Sequence, residues 1–302
     1  MFSSSLKKMV VWTGMFSCLL WIVGCGGDSG GTPKYATKKR PASTESQDSA
    51  TENSSKDSGK KAASANQKAD GWGTLKGTIT LAGDIPTLPA VTIEKDVEVC
   101  KEHASVNETL LVNSGNRGIK NVFVYLGKKP DEVHPDLVEA SDAVVDFDQK
   151  NCVFLTHALA MHVDQDLNLL NSDPVSHNTR IQGGSSGEAN PLLPAGADPQ
   201  KFKFNRKTRN PVPVSCNIHP WMKSYVLAQD HPYFAVTDEN GAFEIPNLPS
   251  GISLDLRVWH EASGLVDSAG GEVVKGKWSV TLEADVTQEE SFDIDVSSLD
   301  VE

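Results

Sequence analysis

The sequence predicts an all-β protein of the β-sandwich class, on three observations. From Trp72 onward the apolar residues come in short runs, many alternating with polar ones, which is the period-two pattern of strands half-buried in a sheet. Gly, Pro, Asn and Asp cluster between those runs, where the chain has to turn. No long stretch carries the 3.6-residue period of an amphipathic helix. Short strands at such close spacing bury their apolar faces by packing sheet on sheet.

Before the folded part come two segments of different character. Residues 1–24 read as a secretory signal: Lys7 and Lys8 give the positive region, Met9 to Val23 is mostly apolar, and Gly24-Cys25 closes it. The apolar stretch is too short for a comfortable membrane span. Ile22-Val23-Gly24-Cys25 resembles the lipobox of bacterial lipoproteins. That resemblance implies lipidation of Cys25 and export to the periplasmic or cell-surface face of a membrane, held by the lipid anchor alone. Residues 25–70 then read as a disordered tether, because from Gly26 to Asp70 there is no Leu, Ile or Val and Tyr35 is the only aromatic. Such a chain of 45 residues has an r.m.s. reach of roughly 35–40 Å.

Charge narrows the partners. The whole chain carries −12, the first 70 residues +4, and residues 71–302 therefore −16. An acidic globular region argues against nucleic acid and anionic lipid head groups, and favours a basic or neutral partner.

Strands are expected at Thr74–Leu81, Thr109–Val112, Ile119–Leu126, Val144–Phe147, Val153–Thr156, Leu159–Val163 and Leu167–Leu170. Only Pro135–Ala140 could make a helical turn or two. Phe202–Phe204, Ser224–Ala228, Leu254–Trp259, Trp278–Leu282 and Phe292–Val296 complete the set.

The chemistry concentrates in Ser215-Cys216-Asn217-Ile218-His219-Pro220-Trp221-Met222. Cys and His three positions apart would face opposite sides of a strand, so the segment is a loop, and Pro220 agrees. Thiolate, imidazole and thioether on one loop are what a trigonal copper site with a long axial methionine needs, if a second His arrives from elsewhere. Asn171-Ser172-Asp173-Pro174-Val175-Ser176-His177-Asn178 follows a strand and brings one in, 39 positions before Cys216.

His177-Asn178 followed by Cys216-x2-His219-Pro220-x-Met222 resembles the copper site of the cupredoxins, over about residues 140–229, with a compact loop most similar to that of amicyanin. The resemblance implies a cupredoxin-like Greek-key β-sandwich with one type 1 copper ion. His177, Cys216 and His219 would be its ligands and Met222 the axial thioether. It also implies that Asn178 ties the His177 segment to the cysteine loop, and that the protein is an electron carrier, not an enzyme. The partner would be a redox protein such as a cytochrome or dehydrogenase. To reach one, His219 is expected near the surface beside Pro220 and Trp221.

Of the five cysteines, Cys18 leaves with the signal and Cys25 takes the lipid. The copper reading assigns Cys216 to the metal and pairs Cys100 with Cys152 in a disulfide; other pairings stay open. Cys100-x2-His103 repeats the Cys-x2-His spacing and could join Cys216 and His219 in a zinc site, though His177 and Met222 would then have no role. His157 and His162 read as ordinary sheet or loop histidines. A c-type haem has no Cys-x-x-Cys-His to hold it, and no Ser-His-Asp or paired-carboxylate arrangement stands out.

Val236 to Gly251 carries two turn signals, Asn240-Gly241 and Pro249-Ser250-Gly251, around short strands. Its Thr237-Asp238-x-x-Gly241-x-Phe243 with Leu248-Pro249-x-Gly251 resembles carboxypeptidase regulatory-like sandwich modules. Such modules begin with strands like Gly77-Thr78-Ile79 and Val122–Leu126. The expected organisation is thus a copper domain at 140–229 set within a second sandwich built from 71–139 and 230–302. Two other functions stay in view: a non-redox surface scaffold binding a protein or glycan, and a copper-sequestering lipoprotein.

Overall fold

The computed structural model describes residues 68–101, 106–140 and 142–301. The signal segment, Cys25, His103 and nearly all of the tether lie outside the described residues. The chain is all-β, arranged as two packed β units. Among the described residues, no helix is long and apolar enough to cross a membrane.

One unit draws on both ends of the chain. Its first strand, Trp72–Ala82, buries Leu75, Ile79 and Leu81 and leaves the residues between them at least partly open to solvent, the alternation read in the sequence. This strand pairs antiparallel with Ala242–Pro249 and parallel with Thr287–Glu289 and Phe292–Asp295. Gly241, at φ +73°, makes the turn before Ala242 possible: a Cβ there would come within 2.3 Å of the Ile79 carbonyl oxygen. Across the core lies a second sheet, in which Phe123–Leu126 and Lys277–Thr281 flank Ser253–His260. Val124, Leu126, Leu256, Val258, Trp278 and Ile294 fill the space between the sheets.

The other unit occupies the middle of the chain. One of its sheets runs Gln200–Phe202, Asp166–Asn171, Val144–Lys150, Val153–Phe154. The facing sheet runs Ala158–His162, Lys223–Gln229, Val212–Ser215, Arg180–Gln182, Glu188–Ala189. Phe147, Phe154, Met161, Leu167, Leu169, Ile181, Val214 and Val226 form its core, together with Cys216 and Met222.

Period-two alternation also explains how the units meet. Val124 and Leu126 face the first core, so Phe123 and Tyr125 face outward, onto Ala160 and Leu227 from the back of the other unit's sheet. Phe234 and Trp259 complete this shared cluster, and the Tyr125 hydroxyl donates to the Arg209 carbonyl at 3.1 Å.

Several expected elements are shorter than read. Ile119–Leu126 is not one strand: Asn121 turns at φ +67°, and only Phe123–Leu126 is paired in a ladder. Thr109–Val112 reduces to one bridge, Val112 to Ile119. Pro135–Ala140 makes a single 3-10 turn, Pro135–Leu137. The helix Val97–Cys100 was not foreseen, since four residues carry no readable period.

Candidate metal centre

The ligand loop hangs from a hairpin. Ser215 pairs with Lys223, leaving residues 216–222 as the connection. Inside it Met222 N–H donates to His219 O (2.9 Å) and Cys216 N–H to Met222 O (3.3 Å), so the loop folds back over its own donors. Arg180 and Ile181 pair with Ser215 and Val214, which lays the preceding residues, His177 and Asn178, against the start of the loop. Strand register thus brings together residues 39 positions apart.

His177, Cys216 and His219 converge in the interior. The two Nδ1 atoms are 2.9 Å apart, and each is 3.9 Å from the Cys216 sulfur. All three side chains are buried. Met222, also buried, sits on the same loop in the same core. Asn178 joins the two segments: its Oδ1 accepts from Asn217 N–H (2.8 Å) and Ile218 N–H (3.3 Å), while its own N–H points at the Cys216 sulfur (3.5 Å). Asn190 holds the far end of the same amide at 2.6 Å.

Both imidazoles are oriented from behind. His177 Nε2 lies 2.8 Å from Asp173 Oδ2, and His219 Nε2 lies 2.8 Å from Asp96 Oδ2. A carboxylate accepts and cannot donate, so each Nε2 carries a proton, and in a neutral ring so held Nδ1 is left as a lone pair. Burial pushes His177 below its usual pKa, and the neighbouring imidazole adds to this; the bond to Asp173 offsets only part of it. His177 is therefore neutral. Two bare lone pairs at 2.9 Å beside a buried thiol are a poor arrangement on their own and a good one around a cation. The donor set fits a soft or borderline metal ion: two imidazoles, a thiolate and a thioether within reach of the same loop. In that setting His177, Cys216 and His219 would hold the ion.

The remaining candidates fall elsewhere. Cys100 and Cys152 form a disulfide with a Cα–Cα distance of 5.2 Å, which removes Cys100 from any zinc site. Cys152, Asp173 and His177 also lie close together, but the sulfur there is already bonded to Cys100. His162 lies beside Asp164, apart from the centre. His157 lies between Glu261, bonded to its Nε2, and Glu108, 3.4 Å from its Nδ1.

His219 is not at the surface, contrary to expectation: it is 0% exposed. Pro220 is exposed and Trp221 half-buried, its ring 5.1 Å from the imidazole and its Nε1 donating to Cys152 O at 3.1 Å. The cover over His219 includes Asp96, whose side chain is 35% exposed. Asp96 and Asp173 are the residues that sequence reading missed. Asp173 had a local signal, four positions before His177 in a Pro-containing turn. Asp96 had none, being 123 positions from its partner.

No family model matches this chain, and no curated protein does. Similar solved structures include a reduced Cu(I) amicyanin mutant at pH 4, with 21% identity over 30% of this chain and 87% of that one, at a TM-score of 0.26. A second reduced amicyanin mutant is 18% identical over 35% of this chain and 98% of that one, also at 0.26. A further Cu(I) mutant is 19% identical over 29% and 83%, again at 0.26.

Proposed function

We propose that this protein binds one copper ion between His177, Cys216 and His219, with Met222 as axial thioether, and carries single electrons. The observation that carries the reading is the pair of facing Nδ1 atoms at 2.9 Å, closed by a buried sulfur, with both Nε2 atoms turned to carboxylates. Copper is favoured over zinc because the soft thioether of Met222 joins the thiolate, and no carboxylate enters the donor triangle.

When bound, copper supplies a one-electron couple. The chain's own residues then have separable tasks. Cys216 gives up its proton, and the Asn178 N–H stabilises the resulting thiolate. Asp173 and Asp96 fix ring orientation and tautomer, so the donors need not rearrange between oxidation states. His219 offers the short way out, since its Nε2–H ends on a carboxylate that reaches solvent.

In this reading the chain is an exported lipoprotein held through Cys25, and it exchanges electrons with a cytochrome or dehydrogenase. On the same reading it is an electron carrier and not an enzyme. The net −16 of residues 71–302 favours a basic partner face. A second reading, copper sequestration, is favoured by the complete burial of His219. Mixing the copper(II)-loaded full chain with a reduced basic c-type cytochrome separates them. Electron carriage predicts prompt oxidation of the cytochrome that grows slower with salt; tight copper without cytochrome oxidation supports sequestration.

A further inference from the structure

The carboxylates behind the two imidazoles hang from the two halves of one disulfide. Asp173 bonds His177 and, with the same carboxylate, accepts from Asn151 N–H (2.6 Å) and Cys152 N–H (2.8 Å). Asp96 bonds His219 and begins the four-residue helix Val97–Cys100, whose last residue is the partner of Cys152. The result is a closed circuit: His177, Asp173, Cys152, Cys100, Asp96, His219 and back across the donor triangle.

Asp96 is bent to this task. It is the N-cap residue of its helix, where an Asp carboxylate ordinarily accepts from the helix's own free N–H groups. Here the side chain makes no such bond, and its backbone sits at φ +47°, in the left-handed region that a non-glycine residue adopts at a cost. The carboxylate points instead at His219 Nε2. Cys100, fully buried, anchors the far end of the helix.

We infer that Asp96, on a strap anchored by the Cys100–Cys152 disulfide, is a positioning residue that closes the His219 side of the centre. It holds the His219 ring with Nδ1 turned inward, and metal enters or leaves on that side only when the strap lifts. The inference rests on the metal reading for its consequence, but the closure itself is a property of the metal-free chain. It also accounts for the burial of an imidazole expected at the surface.

Two measurements test it. In the metal-free full chain, acylation of His219 by diethyl pyrocarbonate, mapped by mass spectrometry, should be slow. Asp96→Gly accepts the positive φ and removes the carboxylate, and should raise the rate at least tenfold. Asp96→Asn keeps an acceptor and tolerates the same backbone, so it should stay near the unaltered rate. Cys100→Ala with Cys152→Ala should behave like Asp96→Gly, and Glu98→Ala, on the same helix but facing solvent, should change nothing. In the copper-loaded chain, removal of copper by a chelator should follow the same order. Equal acylation of His219 in the unaltered chain and in Asp96→Gly would overturn the closure. Faster acylation with unchanged copper loss would overturn the gating of metal. A chain that takes up no copper would defeat the proposed function, while the acylation series would still decide whether the strap closes the site.

Discussion

A neutral imidazole has one proton to place, and both His177 and His219 turn Nε2 to a carboxylate, an arrangement that keeps the proton of a neutral ring there and its Nδ1 bare. Replacing Asp173 by Ala frees the His177 ring to rotate and to exchange tautomers. Copper affinity should fall by about 10–100-fold, read by competition with a chelator of known affinity. Replacing Met222 by Gln alters only the weak axial donor. Copper should be retained at full stoichiometry while the reduction potential shifts, as redox titration of the visible band would show. At this scale the sequence was informative about which side chains converge wherever they are close in the chain or flanked by a telling neighbour. Cys216, His219 and Met222 share one loop, and His177 has Asn178 beside it. The acceptors behind the rings were opaque, because one of them is brought in by a helix and a disulfide that no local pattern announces.

Elements obey the same distinction. Strands with clear alternation, such as Trp72–Ala82 and Asp166–Asn171, were legible because period two needs only a few residues to declare itself. Two-residue ladders such as His177–Asn178 with Leu192–Leu193 were not, since tertiary packing alone defines them. His157, read as an ordinary sheet histidine, instead links elements of both units, with Glu108 and Glu261 on either side of its ring. Burial acts to lower its pKa, but the hydrogen bonds and negative charge of the two glutamates outweigh this and hold it up at about 9. A folded-state pKa above the unfolded value near 6.5 contributes stability that is complete below pH 6.5 and lost as pH rises through 9. His231 and His260 work in the opposite sense. Burial lowers both to about 4, so stability falls as pH drops from 6.5 toward 4 and the unfolded chain takes up protons. The urea midpoint should therefore peak near pH 6.5. In His157→Gln the decline between pH 6.5 and 9 should flatten, and the acid decline should ease somewhat, because the charge on His157 adds to the burial that lowers His260; an identical alkaline decline would remove His157 from this role.

At the scale of the whole molecule, two β units share a buried cluster and do not merely sit on a linker. Trp259 packs edge-on against Phe123 at 5.7 Å and lies 5.0 Å from Tyr225, a residue of the unit built from the middle of the chain. Trp259→Ala should cost about 3–5 kcal/mol, the range for emptying such a site. Because the loss falls between the units, calorimetry should show the unfolding of the variant split into two steps. The central claim, however, is that the fold exists to hold one soft metal ion by two imidazoles and a thiolate. Titration of the metal-free full chain with copper(II), followed by visible absorption and metal analysis, tests it most directly. The account predicts saturation at one copper per chain with an intense thiolate-to-copper band, and loss of that band in Cys216→Ser. Saturation without such a band, or a band that survives the loss of Cys216, would contradict it.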